Sequence, residues 1–254
     1  MASILKTIAK AHNCPYLLNP ITRQTGQLLF MIYNPKQLAG ERAAEYVKDD
    51  MIVGLGTGST AYFTIRKLGQ RVAEGLKILG IPTSEQSKQQ ALAEHIPLID
   101  FDQVTHIDLT IDGADEIDPA FNLTKGAGGA LLREKIVAKN SASEIIVGDP
   151  TKWVKHLGAS ALPVEVVPFG WQATRQHLAK LGCTPLLRLA SQGPYVTDNG
   201  NYILKCDFQE IVDPSTLEQE INKICGVVEC GLFIGLACRI IIGHPDGTIE
   251  EKTL

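Results

Sequence analysis

The sequence predicts an α/β protein: a doubly wound, mostly parallel sheet domain joined to a second, smaller α+β domain of ferredoxin-like order. Three observations predict it. From Pro35 to about Pro150, apolar strand-like runs alternate with helical patterns, as crossover helices between parallel strands require. After Lys155 the order becomes strand, helix, strand, strand, helix, strand, which is the split βαβ arrangement. With 254 residues, 44% of them hydrophobic, the chain is long enough to bury two unequal cores.

The elements follow in order. Strands are predicted at "MIVGL" (51–55), "LKILGI" (76–81), "HIDLTID" (106–112) and "EIIVGD" (144–149). Between them, 59–74, 84–95 and 129–140 have helical composition and no internal proline. "LPVEVVPF" is an extended run, "ATRQHLAKLG" a short helix ending at glycine, and "YVTDNGNYILKCDF" a strand, a D-N-G turn and a strand. "PSTLEQEINKICG" is a second helix leading into "VVECGLF", and "CRIIIGHPDGTIEE" is a hairpin around Pro245, Asp246 and Gly247 that returns to the first domain. The boundaries are an extension over 1–33, the larger α/β domain over 34–160 plus 231–254, and the smaller domain over 161–230.

A net charge of −4 with 20% charged residues gives no electrostatic case for nucleic acid or an anionic membrane as partner. The six cysteines form no C-x-x-C pair, so a reducing, cytoplasmic setting is the simplest account. Six histidines and these cysteines show no metal-ligand spacing, and no metal is expected. No run approaches the roughly 18 apolar residues that span a bilayer. Residues 1–40 contain no Asp or Glu but carry Lys6, Lys10, Arg23 and Lys36, a bias shared with organelle transit peptides. Scarce serine and arginine there favour an extension before Met31 instead.

The chemistry gathers at the strand ends. In "IVGLGTGSTA" glycines free backbone N–H groups, and Thr57, Ser59 and Thr60 add hydroxyls where a helix begins, which makes a cradle for an anion. Gly56, Gly58 and Ala61 also satisfy a dinucleotide fingerprint. That site needs an acid about 20 residues on, where the chain has Thr83, Ser84 and then Glu85, which could equally cap the next helix. "HIDLTIDGADEID" delivers Asp112 to the carboxyl end of a strand, with Asp115, Glu116 and Asp118 close behind. A calcium loop fails there, because Thr110 and Pro119 fall on ligand positions. "NLTKGAGGALLREKIV" is a second glycine turn entering a helix, with Lys125 before it. On that helix Glu134 shares a face with Ala130, Val137 and Ala138. Buried, it would have the raised proton affinity of a general base; exposed, it would be one charge between Arg133 and Lys135.

Together "GLGTGST", "IDGADEID", "KGAGGALLREK", "LPVEVVPF" and "VTDNGNYIL" resemble the A-type ribose-5-phosphate isomerases, in one order from about Lys36 to the C-terminus. The resemblance implies interconversion of D-ribose 5-phosphate and D-ribulose 5-phosphate in the non-oxidative pentose phosphate pathway, without metal or organic cofactor. It implies that Glu134 moves a proton between C2 and C1 through a cis-enediol, that Asp112 serves ring opening, and that Asp115 holds sugar hydroxyls within the turn Asp112, Gly113, Ala114, Asp115. It further implies that Lys125 with the amides of Gly126, Ala127 and Gly128 steadies the enediolate oxygen. Thr57, Gly58, Ser59, Thr60, Lys36 and Lys152 would bind the phosphate. A pentose 5-phosphate is then the small-molecule partner, and a homodimer or homotetramer the usual state. Ala127 stands where a glycine is usual, which is harmless if its φ is negative. The competing readings are a coenzyme A transferase, whose glutamate is a nucleophile, a sugar-phosphate-binding regulator, and an NAD-dependent dehydrogenase.

Overall fold

The computed structural model describes residues 33–254; the readings made for residues 1–32 lie outside them. Helix α1 (Pro35–Ala44) has no counterpart among the predicted elements. Asn34 caps it by accepting the N–H groups of Lys36 and Gln37 at 3.1 and 3.4 Å, and Pro35 occupies its first turn. Small residues, Ala39, Gly40, Ala43 and Ala44, form its buried face.

The chain then runs through β1 (Met51–Leu55), α2 (Ala61–Ala73), β2 (Ile78–Pro82), α3 (Glu85–Ala93) and β3 (Leu109–Gly113). Next come the short strands β4 (Glu116–Ile117) and β5 (Leu123–Thr124), helix α4 (Leu131–Lys139) and β6 (Glu144–Gly148). The cap of α3 is Ser84 rather than Glu85: Ser84 and Ser87 exchange side-chain-to-backbone hydrogen bonds at 3.0 Å each.

The second sheet uses β7 (Leu162–Val166), α5 (Trp171–Ala179), β8 (Thr184–Leu187), the small pair β9 (Leu189–Ala190) and β10 (Gly193–Pro194), β11 (Tyr202–Asp207), α6 (Pro214–Asn222) and β12 (Val227–Cys230). After β13 (Leu232–Phe233), which joins β5 and β4, the chain returns as β14 (Arg239–Gly243) and β15 (Ile249–Thr253).

The first sheet has the order β15-β14-β6-β3-β1-β2, parallel except for β15. Strands are added outward in both directions from the β1–β3 pair. A doubly wound sheet opens its crevice at such a reversal, beyond the carboxyl ends of the strands. Val53, Leu55, Leu109, Ile111, Ile145, Val147 and Ile241 make the core beneath it with the apolar faces of α1 and α2.

The second sheet is antiparallel, with the order β12-β7-β11-β8, as ferredoxin-like order demands. Leu178 of α5 and Ile221 of α6 pack with Val164, Val166 and Leu204 on one face. One expected strand is corrected. Residues before the D-N-G turn make a single bridge, Val196 to Tyr202, and the partner of β11 is β8. That strand is hidden in the sequence by Pro185, which a sheet tolerates at an edge, and by its exposed Leu186.

Candidate active site

The reversal between β1 and β3 brings the predicted motifs into one cleft. Gly56 passes so close to β3 that a Cβ there would lie 2.3 Å from Asp112 Oδ1, and Gly58 has φ +113°, a conformation suited to glycine. Helix α2 starts two residues later than predicted, which leaves Ser59 and Thr60 outside it at its N-terminus. The unpaired N–H groups and positive end of a helix dipole are found at such a place. Lys36, at the start of α1, donates from Nζ to Ser59 Oγ at 2.9 Å.

Thr57 lines the same cleft and also ties the turn to its neighbours. Its N–H is donated to Asp112 Oδ1 at 3.0 Å, and its hydroxyl lies 2.7 Å from both Thr83 Oγ1 and Ser84 Oγ. The residues that stand where a dinucleotide site wants an acid therefore brace the first glycine turn.

Asp112 is fully buried, and its Oδ1 also accepts the Gly113 N–H at 2.7 Å. Lys125, equally buried, donates from Nζ to the Gly113 carbonyl at 2.6 Å and lies 3.0 Å from Asp112 Oδ2 and 3.4 Å from Glu134 Oε2. Burial pulls the Lys125 ammonium toward release of its proton, but Asp112 and Glu134 outweigh it and hold the proton more tightly than usual.

Helix α4 presents Glu134 on the same buried face as Ala130, Val137 and Ala138. Burial pushes its carboxyl up to about 8, against the pull of Lys125. Of the two readings of Glu134, the buried one holds.

Thr57, Gly58, Ser59, Thr60, Gly113, Ala114, Asp115, Lys125, Gly126, Gly128, Glu134 and Lys152 line a cavity of about 100 Å³. Lys36 reaches it through Ser59. Asp112 and Ala127 do not line it. Asp112 sits behind Lys125, and Ala127 faces a neighbouring hollow beside Pro163 and Arg188. The second turn needs positive φ at Gly126 and Gly129, and Ala127 is not among the described non-glycine residues with positive φ. Its N–H is donated to Asp115 Oδ2 at 2.9 Å, so in this geometry that amide serves the turn rather than an oxyanion.

Three charged residues have roles that the sequence does not announce. Lys135, beside Glu134 in the sequence, is buried and donates to Glu218 and Glu229 at 2.8 and 2.7 Å. It fills the centre of a Glu218, Glu229, Cys230 group that otherwise has metal-like spacing. Arg133 reaches Glu85 and the turn at 198–199. Glu144 is buried, its carboxyl without a hydrogen-bond partner among the described residues. No local pattern marks these three: the partners of Arg133 and Lys135 are distant in sequence, and only the tertiary fold buries Glu144.

A buried carboxyl, an ammonium at its side and a glycine turn opening a helix in one crevice of an α/β sheet are what an enzyme of acid–base chemistry on small anionic substrates needs. The family model for ribose 5-phosphate isomerase A (phosphoriboisomerase A) matches residues 79–247. The ribose-5-phosphate isomerase A of Bacillus mycoides is 50% identical over 218 residues, covering 85% of this chain and 99% of its own. Ribose-5-phosphate isomerase A 1 of Oceanobacillus iheyensis is 51% identical over 212 residues, covering 83% and 95%. A solved D-ribose-5-phosphate isomerase in complex with phospho-erythronic acid superposes with a TM-score of 0.85 at 39% identity, over 87% of this chain and all of that one. The chain belongs to the ribose 5-phosphate isomerase A family.

Proposed function

We propose that the cleft between the two glycine turns is where this chain, as a member of that family, interconverts D-ribose 5-phosphate and D-ribulose 5-phosphate, with Glu134 as the base. The observation that carries the assignment is a carboxyl buried beside Lys125 with its proton affinity raised by burial to about 8. Such a group takes the C2 proton of the open-chain aldose and returns it to C1. Negative charge grows on the carbonyl oxygen as the enediolate forms, and the Lys125 ammonium is the cation in the cleft beside that base. Asp115 lines the cleft and is assigned to the sugar hydroxyls. Asp112 has no surface there, so its first role in our reading is to hold Lys125; ring opening by Asp112 would need Lys125 and Gly113 to shift. Thr57, Gly58, Ser59, Thr60, Lys36 and Lys152 take the phosphate, and Thr57 also ties that turn to Asp112, Thr83 and Ser84.

A relative binds phospho-erythronic acid. Its carboxylate presents two oxygens on one planar carbon, much as an enediolate presents them on two, so the same compound is expected to bind here. A coenzyme A transferase is disfavoured by the small cleft and the buried Glu134. We further propose a homodimer or homotetramer with an isologous interface, a cytoplasmic setting, and a catalytic unit of 34–160 plus 231–254 with 161–230 as the smaller unit. Among the described residues no helix is long and apolar enough to cross a membrane.

The test is turnover of ribose 5-phosphate by the purified protein and by Glu134→Gln. The variant is expected to lose on the order of 10²–10⁴ in kcat while still binding phospho-erythronic acid. The parent's kcat is expected to rise with pH as Glu134 loses its proton. Near-normal turnover by Glu134→Gln would remove it as the base.

A further inference from the structure

We propose that Arg133 and Lys135, the neighbours of Glu134 on α4, are positioning residues that clamp the base helix to the second sheet from two sides. The inference rests on Glu134 as the base. Successive helical residues point about 100° apart. With Glu134 turned inward to Lys125, its two neighbours therefore leave the helix on opposite flanks.

Each flank is tied down. Arg133 donates from NH1 to Glu85 Oε1 at 2.8 Å, from Nε to Asn199 Oδ1 at 3.0 Å and from NH2 to the Asp198 carbonyl at 3.1 Å. Asp198 also accepts the Glu85 N–H at 2.8 Å. Glu165 of β7 holds the same turn by accepting from Thr197, Asn199 and Asn201 at 2.9, 3.2 and 2.9 Å. On the other flank Lys135 lies between Glu218 of α6 and Glu229 of β12, over the Phe233 ring. One anchor is partly exposed and the other buried.

The two anchors fix what Glu134 needs fixed. Rotation of α4 about its axis would carry the carboxylate off Lys125, and sliding along the axis would do the same. Both motions break the Arg133 or the Lys135 contacts. Buried ion pairs often add little net stability but set register. A misplacement of about 1 Å at a reacting group costs up to about a hundredfold in rate. The groups that face Glu134 are Lys125, Asp112 and Asp115, and drift away from Lys125 removes the one cation among them.

The experiment measures kcat, KM and the acid limb of the pH–kcat profile for Arg133→Met, Arg133→Lys and Lys135→Met, with Glu134→Gln alongside. Arg133→Met and Lys135→Met are expected to lose about tenfold to a hundredfold in kcat with KM within about twofold. Their acid limbs should move to higher pH, and Arg133→Lys should recover part of the loss. A folded Arg133→Met with parental kcat and an unmoved acid limb overturns the clamp. Arg133 is partly exposed, so it decides the matter if Lys135→Met does not fold. Loss of activity in Glu134→Gln together with a parental Arg133→Met leaves the base standing and removes only the clamp. Retained activity in Glu134→Gln removes the base itself.

Discussion

Glu144 opens β6 on the same side of the strand as Ile146, since side chains alternate along it. Its carboxyl is 1% exposed, without a hydrogen-bond partner among the described residues. Burial pushes it up to about 8, with Lys125 pulling the other way. Because the folded value lies above the ordinary 4.5, the unfolded chain gives up this proton first as pH rises. The stability linked to Glu144 is whole below 4.5 and drains away as pH climbs to about 8, at about 1.4 kcal/mol for each pH step of one. Glu144→Gln is therefore expected to lose less of its melting temperature between pH 5 and pH 8 than the parent; parallel curves would show that the carboxyl finds a partner. In "SASEIIVGD" this acid sits at a strand edge where solvent is an equally good reading, and only the tertiary fold buries it. Glu134 is more legible, because it interrupts a stripe of Ala130, Val137 and Ala138. Even there the helix alone leaves burial and exposure open, and Lys125, which decides between them, lies nine residues away, outside the helix.

At the scale of elements, what can be read is what local chemistry punctuates. Strand β1 begins and ends where predicted, at Met51 and Leu55, because glycines follow an apolar run. Helix α1 escapes the periodicity although Asn34 and Pro35 form an N-terminal signal, since its small buried face lacks the large apolar residues that periodicity detects. Its meaning is tertiary: a Cβ on Gly40 would lie 2.9 Å from the Thr60 carbonyl, so α1 packs directly on the start of α2 and delivers Lys36 to Ser59. A close approach in the site is that of Gly56 to β3. In Gly56→Ala the new Cβ would meet Asp112 Oδ1 at 2.3 Å and Asp112 Cα at 2.6 Å. Backbone cannot yield as a side chain can, so the end of β3 must shift and take Lys125 with it. The expected outcome is a kcat loss of about tenfold or more and a stability loss of about 1–3 kcal/mol. A variant that melts and turns over like the parent would show that the first turn is looser than this geometry.

For the molecule as a whole, contacts between the two sheets gather around α4. Arg133 and Lys135 reach the second sheet, and Tyr195 donates to the Gly128 carbonyl at 3.2 Å. Gly231, whose carbonyl accepts the Lys125 N–H at 2.8 Å, donates its own N–H to the Pro163 carbonyl of β7 at 2.8 Å. A ligand that fills the cleft presses on the first glycine turn, the second turn and Glu134 together, so its binding energy is felt on both sides of that seam. Phospho-erythronic acid, if bound as proposed, is expected at a hundred times its dissociation constant to add about 2.7 kcal/mol to the folded state. For a chain of this size that raises the melting temperature by roughly 5–10 °C. If the seam couples the sheets, a single calorimetric transition moves by that amount, because neither sheet keeps its packing once α4 is released. A split trace would mean otherwise: with one transition rising with ligand and another fixed, the sheets unfold independently, and the polar contacts around α4 align Glu134 without joining the two cores.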